Sequence, residues 1–297
     1  MYLPTIPQHP DKLLKISYSV KEIIPYINWI YFHFAWGLPH SVQQTPKGKE
    51  QTETLMQDAY QMLEQMDSKN YRLHIHAYIG QAKAEGEDII LSKLNKRIPF
   101  LRQQSRKLVG KEGSFRCMSD YILADGSDYM GIFSTTIDAA AESDFEGDPY
   151  KQMLAQTLCD RLAEAATEKM HLWIRTQEWG YAPDEELPIS DLLVEHFQGI
   201  RPAIGYPSIP DQGINFILGE LLDYESQGIH LTETGAMKPH ASVTGLMIAH
   251  PDAAYFNIGP ISKEQALNYA QRRGKPLETI APYLYKNIQL PYNETKS

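Results

Sequence analysis

Apolar positions along the chain alternate between two spacings, and the changes between them mark out elements. From Glu53 onward, Leu55, Ala59, Met62, Leu63 and Met66 recur at helical spacing and predict a helix. The polar stretch before it, "PHSVQQTPKGKE" (Pro39 to Glu50), reads as a linker. "YRLHIHAYI" and "DIILSKL" then read as strands, with "GQAKAEGE" as a hairpin or wider turn between them. "YMGIFSTTI" (Tyr129 to Ile137), rich in β-branched and aromatic residues, is a further strand. A long helix follows from about Pro149 to Gln177, with Leu154, Leu158, Leu162, Ala165 and Trp173 on its apolar side. "LPISDLLVEHFQG" predicts a short helix with Ser190 as N-cap and Gly199 past its end, and "GINFILGELLDYES" predicts another. "SVTGLMIAH" and "AAYFNIGPI" flank "PDA" as an antiparallel pair. "SKEQALNYAQRRG" has Ser262 and Gln265 in capping-box spacing and stops at Gly274.

Strands therefore come in local pairs interrupted by helices, without regular β-α-β alternation. That predicts an α+β fold with an antiparallel sheet. The net charge of −9 argues against nucleic acid as a partner, since phosphates would be repelled. No run approaches the ~20 apolar residues of a membrane span, and the N-terminus lacks the charged, apolar and small-residue zones of a signal peptide. With Cys117 and Cys159 as the only cysteines, and no CxxC spacing, a reduced cytoplasmic protein is expected. Neither GxGxxG after a strand nor GxxxxGK[ST] is present, so the usual nucleotide fingerprints are missing.

Candidate chemistry is concentrated in three places. Asp160, Glu164, Glu168 and His171 share one face of the long helix, opposite its apolar side. Two readings stay open for this stripe: a solvated acidic face, or a docking face whose carboxylates accept from a cation or an imidazole. "RPAIGYPSIPDQ" (Arg201 to Gln212) sets one arginine and one tyrosine on a loop stiffened by three prolines. Such a loop would fix a guanidinium before a carboxylate or phosphate arrives, with Tyr206 as an aromatic wall. Tyr255 and Phe256 of "HPDAAYF" form a second candidate wall. His74 and His76 alternate on one strand face without a third ligand, so a structural or surface pair is expected and no metal site. No serine elbow or activated cysteine stands out, and no residue of the chain is assigned as catalytic.

In order and spacing, "YINW", "DRLAEA", "EWGYAPDE", "QGIRPAIGYPSIPD", "LTETGAMKPHASVTG" and "HPDAAYF" resemble the AdoMet-binding activation domain of cobalamin-dependent methionine synthase. The likeness runs from about Val20 to about Tyr285. It implies that residues 1–297 form a single C-shaped α+β domain with a central twisted antiparallel sheet flanked by helices. It further implies direct binding of S-adenosylmethionine and docking over cobalamin held by a separate module or subunit. There the family supports reductive remethylation of cob(II)alamin to methylcobalamin, with flavodoxin or a similar donor supplying the electron. By the resemblance, Arg201 grips the AdoMet carboxylate, and Asn28, Glu164, Gly205, Tyr206, Tyr255 and Phe256 complete the ligand site. Asp160, Tyr206 and His171 would meet the cobalamin module, Asp160 holding the histidine released from cobalt.

The chain departs from the family pattern at Asn28, where an aspartate normally faces the ligand's ammonium, and at Phe256, where tyrosine is usual. With no homocysteine, folate or cobalamin module ahead of Met1 in the sequence, either a separately encoded subunit of a split synthase or an excised domain is expected, the initiator Met and short polar tail favouring a stand-alone chain. Two alternatives remain: an interaction module that docks on a corrinoid protein without binding AdoMet, and a reactivator of another corrinoid methyltransferase.

Overall fold

The computed structural model describes residues 2–105, 114–284 and 286–288; Tyr285 and the polar tail at 291–297 lie outside them. Six strands make one antiparallel, curled sheet: β1 (Leu13–Ser19), β2 (Arg72–Glu85), β3 (Asp88–Leu91), β4 (Lys96–Pro99), β5 (Asp128–Ile137) and β6 (Ser242–Met247). The axis is β2. Its first half pairs with β1 and its last residues with β3, while β5 runs along its other side and carries β6 beyond.

Period-two alternation gives this sheet two buried faces. Leu73, Ile75, Ala77, Ile79 and Phe133 face one core, and Tyr78, Ala82, Met130 and Ile132 face the other. Five helices of seven residues or more flank it: α1 (Trp29–Ala35), α2 (Pro46–Ser68), α3 (Pro149–Trp173), α4 (Asn215–Leu222) and α5 (Lys263–Arg272). The first face is covered by α2 and α3, which bury Leu55, Leu63, Leu158 and Leu162 there, and the second by α4 through Leu218 and Leu222.

Several boundaries differ from the sequence expectation. The stretch read as a linker is largely helical, because Thr45 caps Gly48 N–H and Pro46 starts α2 seven residues before Glu53. "GQAKAEGE" is mostly strand: β2 continues to Glu85 because both neighbours keep its backbone paired, and the turn shrinks to Gly86 and Glu87. "DIILSKL" splits into β3 and the turn before β4. The long α-helix stops at Trp173 and widens into a π-turn over Ile174–Glu178. Ser190 lies inside its short helix, Ile189–Leu192, which Pro188 precedes. "AAYFNIGPI" forms no strand with β6; it crosses back to the proline loop, where Ile258 N–H donates to Pro207 O at 3.0 Å. The β1 strand is an element the pattern did not announce. His74 pairs with Asp138 and His76 bonds the Leu222 carbonyl.

Candidate functional site

The proline loop is held as an irregular continuation of the sheet. Ile200 and Ile248 exchange backbone hydrogen bonds, Leu246 N–H donates to Pro202 O at 3.0 Å, and Ile204 N–H to Thr244 O at 2.9 Å. The approach is so close at Gly245 that an added Cβ would lie 2.5 Å from Pro202 O. Gly205 turns the chain at φ +88°, a value glycine adopts without strain. Arg201 is thereby fixed before any ligand is considered.

Its side chain turns inward, against α3. The guanidinium pairs through Nη2 with Glu168, and Glu195 Oε1 stands 3.9 Å from the same nitrogen. Only 14% of the Arg201 side chain is exposed. Burial pulls its pKa below the ordinary arginine value, the Tyr255 phenol and the Glu164 carboxylate opposing that shift. Nη1 of Arg201 and Oε2 of Glu168 are both buried without a hydrogen-bond partner. Buried orphans of this kind cost roughly 1–3 kcal/mol each.

Around this cation the structure gathers further groups. Tyr255 Oη accepts from Arg201 N–H at 3.1 Å, and burial, reinforced by the Glu195 carboxylate, pushes its phenol up to about 12. Glu195 holds φ at +60°, a left-handed value uncommon for a residue other than glycine, asparagine or aspartate. Burial raises its carboxyl pKa, with the Tyr255 hydroxyl pulling the other way. Glu164 receives both terminal nitrogens of Arg161 at 2.7 and 3.1 Å, and burial raises its pKa. Arg161 also stands 5.9 Å from the ring of Tyr31 on α1, and both Tyr31 and Tyr206 are more than half exposed.

The remaining expected residues fall differently. Asn28 caps α1, its Oδ1 accepting from Ile30 N–H at 3.2 Å; what α1 brings to the cluster is Tyr31. Phe256 turns into the core beside Tyr121, and its backbone is clamped to Ser208, so it anchors the loop rather than walling a pocket. Asp160 lies 3.2 Å from Nδ1 of this chain's own His240, which is almost fully exposed. His171 is not available for docking: it is 0% exposed. Arg175 donates to its Nδ1 at 2.9 Å and Tyr181 Oη meets its Nε2 at 3.2 Å. The acidic stripe is therefore exposed only toward its start, at Asp160 and Glu164. Glu168 and His171 are core.

Glu195, Phe197, Arg161 and the role of Glu168 were not singled out from the sequence. Phe197 lies 3.8 Å from the Arg175 guanidinium and 6.0 Å from that of Arg201, a packing the sequence does not signal. The Arg161–Glu164 spacing of three was a readable helical ion pair.

The curled sheet and its stiff loop thus gather a buried arginine, several carboxylates and exposed phenols at one place. The chain belongs to the family of the vitamin B12-dependent methionine synthase activation domain, whose model matches residues 19–274. Among solved structures it is similar to the MetH reactivation domain bound to AdoHcy, with a TM-score of 0.90 and 30% identity. That match covers 98% of this chain and 94% of the other.

Proposed function

We propose that this chain binds AdoMet directly and, docked over cobalamin held by a separate module, supports its reductive remethylation. The observation that carries the reading is the orphaned Nη1 of the buried Arg201. A ligand carboxylate would give that donor a partner, and a planar guanidinium suits a carboxylate bidentately. The solved relative is bound to AdoHcy, which has the same α-amino-carboxylate end as AdoMet. Glu164 and Glu195 supply anionic surroundings for the ligand's ammonium, and Tyr206 and Tyr255 offer rings and hydroxyls beside it.

Cobalamin, held by the separate module, would supply the methyl-accepting cobalt, with flavodoxin or a similar donor as the source of the electron. This chain's own residues bind and orient the methyl donor. Ile30, Tyr31, Phe34 and Tyr206 are exposed near the cluster and provide the apolar surface for docking on the cobalamin module. Asp160 would receive the module's released histidine in exchange for His240. A cytoplasmic location belongs to the same proposal; both cysteines are free and buried, as suits a reducing compartment.

Isothermal titration of AdoMet into the protein tests the reading. Saturable binding at one site is expected, and absence of heat and of competition by AdoHcy would remove it. One feature keeps docking without AdoMet as a second reading: Asn28, uncharged, already spends an oxygen lone pair on its helix cap.

A further inference from the structure

Glu168 sits nine-tenths buried on the long helix, and the partner recorded for its carboxylate is the Arg201 guanidinium. Only 7% of its side chain is exposed, and its helix neighbours Ala165, Ala166 and Met170 are buried in the core. It takes one side of the fork, through Nη2. The other terminal nitrogen is left buried and unpartnered. A second carboxylate is close by: Glu195, with 43% of its side chain exposed, lies 3.9 Å from Nη2. An arginine on this loop thus has two anions to choose between, one fixed below and one at the rim.

We propose that Glu168 is a positioning residue for the ligand site: it holds Arg201 inward as the nearer of its two acids, with Glu195 kept to a looser 3.9 Å contact, so that Nη1 is left for a ligand carboxylate. The inference rests on the AdoMet reading above. A buried guanidinium without a counter-ion is costly, so neutralising Glu168 lets Arg201 swing toward Glu195 at the rim. Coulomb's law alone points the other way, since a carboxylate already on Arg201 weakens its pull on a second one. Position outweighs attraction here because a bidentate pair requires orientation, and a misaligned fork forfeits one of its two hydrogen bonds.

The test compares AdoMet with decarboxylated AdoMet, which lacks the group Arg201 would hold, on wild type and Glu168→Gln by calorimetry. The variant should bind AdoMet about tenfold more weakly, roughly the loss of one charge-assisted hydrogen bond, and decarboxylated AdoMet as well as wild type does. In an Arg201→Met background, where both charges can be removed together, adding Glu168→Gln should change nothing further. Tighter AdoMet binding by Glu168→Gln would make Glu168 a competitor and overturn the proposal. Equal weakening toward both ligands, or an added loss in the Arg201→Met background, would reduce it to a structural role. Failure of wild type to bind either ligand would instead overturn the AdoMet reading itself, and the inference with it.

Discussion

Arg201 carries its charge into a place where water screens it poorly, so the shape of the cation matters as much as its sign. Arg201→Lys keeps the charge but replaces the planar fork with a point-like ammonium. It should weaken AdoMet by about 1–3 kcal/mol, read by calorimetry; unchanged affinity would take Arg201 out of the site. Asn28 calls for the opposite change. Asparagine and aspartate cap helices about equally well, so Asn28→Asp should keep the Ile30 hydrogen bond and leave stability nearly unchanged. The new carboxylate would offer the ligand's ammonium a charge-assisted bond and should tighten AdoMet roughly five- to tenfold. An analogue without the amino group should gain nothing. Arg201, Tyr206 and Tyr255 were legible because short, stiff motifs carry them. Glu168 and Glu195 were not, because which acid meets an arginine is settled by tertiary approach.

Elements were more legible than their ends. Helical periodicity found α2, α3, α4 and α5, since one apolar stripe against a core leaves a clear 3.6-residue signature. Alternation found β5 and the start of β2. It failed where a strand turns polar and partly exposed but keeps its pairing, as along β2 from Gln81 to Glu85, and where a segment satisfies its backbone against a loop instead of a strand, as around Ile258. The stripe on α3 has the same cause: helical spacing places Glu168 and His171 with Asp160, but only the packing shows that the later pair is sealed. Sealing has a measurable consequence. Burial, with Arg175 beside it, holds the His171 pKa well below its ordinary value. Below about pH 6.5 the unfolded chain therefore binds a proton that the folded one refuses. Stability then falls as pH falls, by up to about 1.4 kcal/mol per pH unit for that group, until the folded pKa is reached. His33 and His76, also lowered by burial, add to the same slope. Thermal unfolding at pH 7.5 and 5.5 should show the loss, and His171→Gln should show less of it. An undiminished acid loss in that variant would mean that His171 does not titrate in this window.

At the scale of the whole molecule, the candidate site lies where three separately built parts meet: the loop bound to β6, the exposed start of the α3 stripe, and α1 with Tyr31. A ligand touching all three ties them together and should stabilise the fold as a unit. With AdoMet at a hundredfold excess over its Kd, linkage predicts about 2.7 kcal/mol of added stability. For a chain of this size that is a rise of several degrees in Tm. Because Arg201 is nearly enclosed, most of the shift should survive added salt, unlike an exposed ion pair. Arg201→Met should abolish most of it, and should lower the unliganded Tm below that of Arg201→Lys, because it leaves Glu168 buried without a counter-charge. The same experiment with the cobalamin module separates the two functional readings. If AdoMet gives no shift but the module still binds through the surface around Ile30, Tyr31, Phe34 and Tyr206, the chain is a docking domain without its ligand. If both shift the transition, the methyl donor and the module meet on one face. Replacing His240 by alanine should then strengthen docking alone, because it frees Asp160 without touching Arg201.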